Sequence, residues 1–127
     1  MRCLVVGVCT TLAVCLVLAS SDLAAQKEKP KLTIKQVMVQ AHKGEEKSLM
    51  RKVAAGTATR DDQAKLVALY VALSLNAPPR GSADDWKVRT TKLVDLAKKA
   101  EQGDEVAAQA LVKAAACGTC HAKHKPK

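Results

Sequence analysis

The sequence predicts an all-α protein and, more narrowly, an antiparallel four-helix bundle. After residue 32, apolar residues recur at helical spacing in four segments, and no stretch alternates as a strand would. Each segment begins at a Ser, Thr or Asp that can cap a helix, and the connections between segments are short. Short connections place successive helices side by side in opposite directions, as in an up-down-up-down bundle.

The first two segments have clear start and stop signals. Thr33 is the expected N-cap of the first helix, Gly44 kinks or briefly interrupts it, and Gly56 ends it. Thr59 and Asp62 form a capping-box pattern at the start of the second helix, which ends before the prolines at 78–79. The predicted buried stripes are Ile34, Val37, Met38, Ala41, Leu49 and Val53, then Leu66, Leu69, Tyr70 and Leu73.

The third and fourth segments follow the same logic. Ser82, with Asp85 three residues later, predicts the start of the third helix, and Gly103 its end. Asp104 is the expected cap of a fourth helix that continues to the C-terminal lysines. The predicted inner faces are Trp86, Thr90, Leu93, Ala97 and Ala100, then Val106, Ala110, Leu111, Ala114, Cys117 and His121.

The N-terminus has the pattern of an export signal, which we assign to residues 1–25. Arg2 precedes an uncharged apolar run, and small residues that suit cleavage follow it. We expect a linker at 26–32, a single domain at 33–127, and a periplasmic or otherwise exported protein. Membrane attachment is expected only if the signal is uncleaved or lipidated, and Leu-Ala-Val before Cys15 faintly resembles a lipoprotein site.

The charge and the aromatic content of the chain limit the classes of macromolecule that it is expected to bind. The chain has 127 residues and a formal net charge of +9, with lysines and arginines spread along every segment. A nucleic-acid interface would cluster these charges and interleave aromatic residues, but aromatics make up only 2% of the chain. We therefore expect no nucleic-acid partner, and a basic surface that favours docking to an acidic protein.

The most specific motif is Cys117-Gly118-Thr119-Cys120-His121, near the C-terminus. C-x-x-C-H is typical of covalent haem attachment. On a helix, three residues make almost one turn, so both thiols face the two vinyl groups of one porphyrin. His121 can then reach the iron as the proximal ligand. The predicted fold thus becomes a four-helix bundle with one covalently attached haem c.

Two other interpretations of the motif remain open. Zinc is one, because Cys117, Cys120, His121 and His124 are four candidate ligands, although adjacent Cys and His residues suit zinc poorly. A disulfide between the two cysteines, or a pair of unmodified thiols, is the other. The remaining cysteines all lie in the signal, so no larger disulfide framework is expected.

With this motif close to the C-terminus, four helical segments and an export signal, the sequence resembles the cytochrome c prime family. The resemblance covers most of the mature chain and implies covalent haem at Cys117 and Cys120, with His121 bound to the iron. It also implies a homodimer, since bundles of this family often pair through their first two helices. Here His124 stands where members usually carry an aromatic residue.

The other side of the haem is expected to face the first helix. In an antiparallel bundle, the start of the first helix lies beside the end of the fourth. His42 is our first candidate for a distal ligand or gate and Met38 our second, while His124 is expected to pack or face solvent.

These observations lead to a functional hypothesis with two alternatives. We expect an exported monohaem c-type cytochrome that transfers single electrons to a redox protein partner. The alternatives are a module that binds NO or CO at an open distal site, and a zinc-stabilised helical binding protein. No hydrolase or transferase constellation is visible, so we do not expect an enzyme.

Overall fold

The computed structural model describes residues 29–127, and these residues form an all-helical fold. The predicted signal peptide and the first part of the predicted linker lie outside the described residues. Six α-helices and one short 3-10 turn follow one another, and residues 29–127 contain no β-strand. The helices are α1 (Ile34–His42), α2 (Leu49–Ala54), α3 (Arg60–Leu75), α4 (Ala83–Glu101), α5 (Glu105–Ala114) and α6 (Cys117–His124).

The predicted helix starts are confirmed. Thr33 Oγ1 accepts from the Gln36 N–H, and Thr59 forms a reciprocal capping box with Asp62. Ser82 and Asp104 accept from the N–H groups of the third helical residue of α4 and α5, respectively. Each cap satisfies a backbone donor that the helix itself leaves without a partner.

The first predicted segment is divided in two. Gly44 has φ 99° and starts a 3-10 turn at Glu45–Lys47, and Ser48 then caps α2 through a hydrogen bond from the Arg51 N–H. This φ lies in the left-handed region that glycine adopts without steric cost. The expected interruption at Gly44 is therefore confirmed, and it redirects the chain between α1 and α2.

The prediction of one continuous fourth helix is wrong. Helix α5 ends at Ala114, and Ala116 has φ −58° and ψ 118°, so α6 begins as a separate helix. The single inner face predicted from Val106 to His121 is also wrong, because Val106 is 78% exposed and the buried side chains of α5 are Ala107, Ala108 and Leu111. Contacts between α6 and the α3–α4 connection, described below, accompany this break.

The core lies between α3 and α4 and extends to the other helices. Helix α4 packs against α3 and α5, while α2 packs against α1, α3 and α5. The expected inner faces of α3 and α4 are buried, as are Val37, Ala41 and Val53 on the first segment. Burial of these apolar stripes is the main stabilising contribution to the fold.

Candidate functional site

A large cleft opens where α1, α4 and α6 meet. Its volume is about 890 Å³, within the range of sites that enclose a cofactor or small molecule. Much of its wall is apolar, with contributions from Ile34, Met38, Leu73, Leu93 and Ala114. All five residues singled out in the sequence line this one cleft: Met38, His42, Cys117, Cys120 and His121.

The C-x-x-C-H motif forms the first five residues of α6. Cys117 and His121 are exposed and Cys120 is partly buried. Both thiols are free in the fold, so the motif forms no disulfide here. Burial raises the pKa of the Cys120 thiol, with the nearby Arg89 guanidinium acting in the opposite direction. One wall of the cleft therefore presents two thiols and an imidazole.

Helix α1 supplies the two residues that were expected to lie across from the C-x-x-C-H motif. Met38 and His42 are one helical turn apart and both are partly buried. The pKa of His42 is lowered, first by burial and second by the positive charge of His121. Both imidazoles line the same cleft. This placement is the one expected from the order of the helices.

Tyr70 of α3 contacts His42 behind the cleft. Its hydroxyl lies 3.4 Å from His42 Nε2, and the two rings are 5.8 Å apart between centroids. Burial, and secondarily the charge of Cys117, raises the pKa of the Tyr70 phenol. The apolar spacing of α3 predicts Tyr70 in the core but does not indicate this contact, because α1 and α3 become neighbours only in the folded chain.

His124 anchors α6 to the rest of the protein. Its side chain is 2% exposed, with Nδ1 2.9 Å from the Arg80 carbonyl oxygen and Nε2 2.8 Å from Asp85 Oδ2. Its ring also meets the Trp86 ring edge-on, at 5.2 Å between centroids. Of the two positions expected for His124, packed or facing solvent, the structure has the packed one.

The Asp85 carboxylate accepts hydrogen bonds from the cationic side chains near His124. Its carboxylate accepts from Arg89 Nε at 2.6 Å and from Lys123 Nζ at 3.4 Å, in addition to His124. These partners, Arg89 first and His124 second, hold the pKa of Asp85 well below its usual range. Ser82 and Asp85 have the spacing of a capping box, but the Asp85 carboxylate bonds to Arg89 and to α6 instead.

The connection between α3 and α4 holds the last carbonyls of α6. Arg80 donates to the carbonyl oxygens of Ala122 and Lys123, at 2.7 and 3.3 Å. Gly81 has φ 85°, and a Cβ there would lie 2.8 Å from the Lys123 carbonyl oxygen. Only glycine permits this close approach without strain.

The cleft is cationic. Lys35, Lys43, Arg89 and Lys125 contribute to its lining, whereas no Asp or Glu does so among the described residues. Trp86 also lines the cleft, and its Nε1 donates to the Asn76 carbonyl oxygen at 2.7 Å. The surface is therefore suited to an apolar ligand that carries negative groups.

Neither a metal-ion site nor a membrane-spanning helix is found in the described part of the chain. In residues 29–127, no three His, Cys, Asp or Glu side chains gather in an arrangement that would hold a metal ion. The four residues considered for zinc line the same cleft but form no such group among residues 29–127, and both ring nitrogens of His124 bond to Arg80 and Asp85. No helix within the same range is long and apolar enough to cross a bilayer.

Comparison of the chain with protein-family models, with curated proteins and with solved structures found no match. The function must therefore be argued from the geometry of the cleft and the chemistry of its residues.

Proposed function

We propose that this protein is an exported monohaem c-type cytochrome that transfers single electrons. The observation that carries the proposal is the shared cleft, which has Cys117, Cys120 and His121 on one wall and Met38 and His42 on another. The cofactor would be one covalent haem c. It would supply an iron that changes oxidation state by one electron when bound.

The residues of the cleft fit this group chemically. Each free thiol can add to a vinyl group, with its hydrogen transferred to the neighbouring carbon, so the attachment needs no oxidant. His121 would be the proximal ligand, and His42 and Met38 are the candidates for the opposite side. The absence of carboxylates from the described lining, together with its four cationic side chains, favours binding of the haem propionates.

The helix order supports a bundle architecture for this site. We propose that α1 with α2, then α3, α4, and α5 with α6 act as the four arms of an antiparallel bundle, as in the cytochrome c prime family. Consecutive arms pack together, and α2 also packs against α5. The sequence resemblance rests on the motif position and the helical segments, and a homodimer remains part of the same proposal.

The net charge of +9 supports the choice of partner. A strongly basic protein is attracted to an acidic docking face, which raises the association rate at low ionic strength. We therefore propose an acidic redox protein as the electron partner, outside the cytoplasm, and no nucleic acid.

A second candidate function is a gas-binding module for NO or CO. The hydrogen bond between Tyr70 and His42 favours it, because a histidine held within the protein would not bind the iron. Binding of CO to the reduced protein without displacement of a ligand would support this candidate over electron transfer.

The test is expression of the full chain together with a c-type haem maturation system. We expect a coloured product whose mass includes one haem and whose absorption spectrum shifts reversibly between oxidised and reduced forms. Cys117→Ser/Cys120→Ser should abolish covalent attachment. Gly118→Ala is the matched control, because a Cβ there meets no atom within 4 Å and the motif is retained.

A colourless product of unmodified mass that contains zinc would overturn the proposal in favour of the zinc-stabilised alternative. Colour that survives in the double serine variant after denaturation would also contradict covalent attachment. The spectrum of the control variant should match that of the wild type.

A further inference from the structure

Buried Tyr70 and partly buried His42 form a hydrogen-bonded pair beside the cleft. The Tyr70 side chain is 0% exposed, and its hydroxyl is 3.4 Å from His42 Nε2. Within residues 29–127, no second hydrogen-bond partner is found for that hydroxyl. His42 itself is partly buried and lines the cleft. The pair thus links the core of α3 to the candidate distal residue of α1.

The direction of this hydrogen bond follows from burial. A tyrosine keeps its proton at neutral pH, and a fully buried O–H that donates to nothing is costly. This cost favours the arrangement in which the Tyr70 hydroxyl donates and His42 Nε2 accepts. A neutral imidazole that accepts at Nε2 carries its hydrogen on Nδ1. His42 is only partly buried and lines the cleft, so its ring is not sealed from solvent.

We propose that Tyr70 is a positioning residue that keeps His42 Nε2 off the haem iron. This inference rests on the proposed function, and it chooses between the two roles suggested for His42: a gate beside the iron, not a ligand. The nitrogen whose lone pair would bind iron is occupied by the Tyr70 proton. Coordination would require this hydrogen bond to break and leave a buried hydroxyl without a partner.

The first experiment needs no haem. Ring ¹⁵N chemical shifts of His42, measured by NMR in the apoprotein at neutral pH, report which nitrogen carries the hydrogen. We expect the Nδ1–H tautomer in the wild type and a shift toward Nε2–H in Tyr70→Phe, which retains the buried ring. An Nε2–H tautomer in the wild type would overturn the inference.

The second experiment uses the haem-loaded protein and reads the coordination of the iron by absorption and electron paramagnetic resonance. Wild type and His42→Ala should give the same spectrum. Tyr70→Phe should give a low-spin spectrum with two histidine ligands, and Tyr70→Phe/His42→Ala should lose it.

Ser48→Ala is the matched control for the loss of a buried hydroxyl. Ser48 is 2% exposed and caps α2, and it does not line the cleft. Its substitution should lower stability and leave the spectrum of the iron unchanged, as a purely structural effect would.

Two results would overturn the role of Tyr70 in the loaded protein. One is a bis-histidine spectrum in the wild type that His42→Ala removes. The other is a Tyr70→Phe spectrum identical to that of the wild type. A colourless product would contradict the proposed function and, with it, the role of Tyr70. The NMR measurement on the apoprotein tests the Tyr70–His42 hydrogen bond independently of haem.

Discussion

Helices α3 and α6 differ in what holds them in the fold. Helix α3 has 16 residues and a capping box, and it buries five side chains, four of them large: Leu66, Leu69, Tyr70, Ala72 and Leu73. Helix α6 has 8 residues and no side-chain cap, and its one buried side chain is His124. Apolar burial stabilises α3, whereas a few polar contacts with Asp85 and Arg80 position α6.

This difference separates the apolar core from α6, the helix that carries the C-x-x-C-H motif. Apolar burial is insensitive to small changes of pH, while hydrogen bonds to charged groups depend on geometry and protonation. Changes in the α3–α4 core should therefore lower the stability of the whole domain. Changes around Asp85, Gly81 and His124 should release α6 and leave the other helices folded.

The largest expected effect is that of Leu66→Ala. Leu66 is 0% exposed, and truncation of a fully buried leucine destabilises by about 2–5 kcal/mol. Urea unfolding followed by circular dichroism measures the change. Val106→Ala is the control, since Val106 is 78% exposed and should change stability by at most about 0.5 kcal/mol. Equal losses in the two variants would contradict the burial pattern.

Gly81→Ala and Gly103→Ala form a matched pair. Both glycines have positive φ, 85° and 90°, so alanine costs about 1–2 kcal/mol at either position. At Gly103 a Cβ meets no atom within 4 Å, whereas at Gly81 it would clash with the Lys123 carbonyl. We expect faster hydrogen exchange of α6 amides only in Gly81→Ala. Similar exchange in both variants would show that this contact does not hold α6.

Thr59→Ala tests the start of α3 alone. It removes the side-chain acceptor for the Asp62 N–H at 3.1 Å, and the loss of such a cap costs about 1 kcal/mol. Thr59→Ser keeps the oxygen and should retain most of the stability. Thermal unfolding measures the difference in stability between the alanine and serine variants. In both, hydrogen exchange of the α6 amides should change only as much as the global stability does.

The smallest effect is the pH dependence of the α6 anchor, because Asp85 is near solvent and its charge is screened. The pKa of Asp85 is lowered in the fold by Arg89 and then by His124, with Lys123 contributing. Its stabilising contribution is therefore complete above the unfolded value of about 3.9. The contribution is lost as the pH falls from there through the lower folded pKa.

The fluorescence of Trp86 measures this pH dependence. It is the single tryptophan of the chain and lies against His124, so its fluorescence in the apoprotein reports the position of α6. We expect an acid transition in the wild type that Asp85→Asn lacks, since asparagine does not titrate. Identical transitions in both proteins would assign the acid response to another group.

Much of the fold followed from local sequence signals. The caps at Thr33, Thr59, Ser82 and Asp104 were predictable because a cap depends on residues within one turn. The interruption at Gly44 followed from the conformational freedom of glycine. The break before Cys117 was not predictable, since alanines flank it and none of them is a helix breaker.

The candidate site also contains residues that the sequence predicts and contacts that only the structure identifies. By itself, the sequence determined the C-x-x-C-H motif and the α1 residues Met38 and His42, because spacing and helix order are properties of the chain. Only the tertiary structure joined Asp85 to His124 and Tyr70 to His42, in both cases across more than 25 positions of the chain. The physical reason is that such contacts depend on how the helices pack, and no local pattern encodes the partner of a distant polar group.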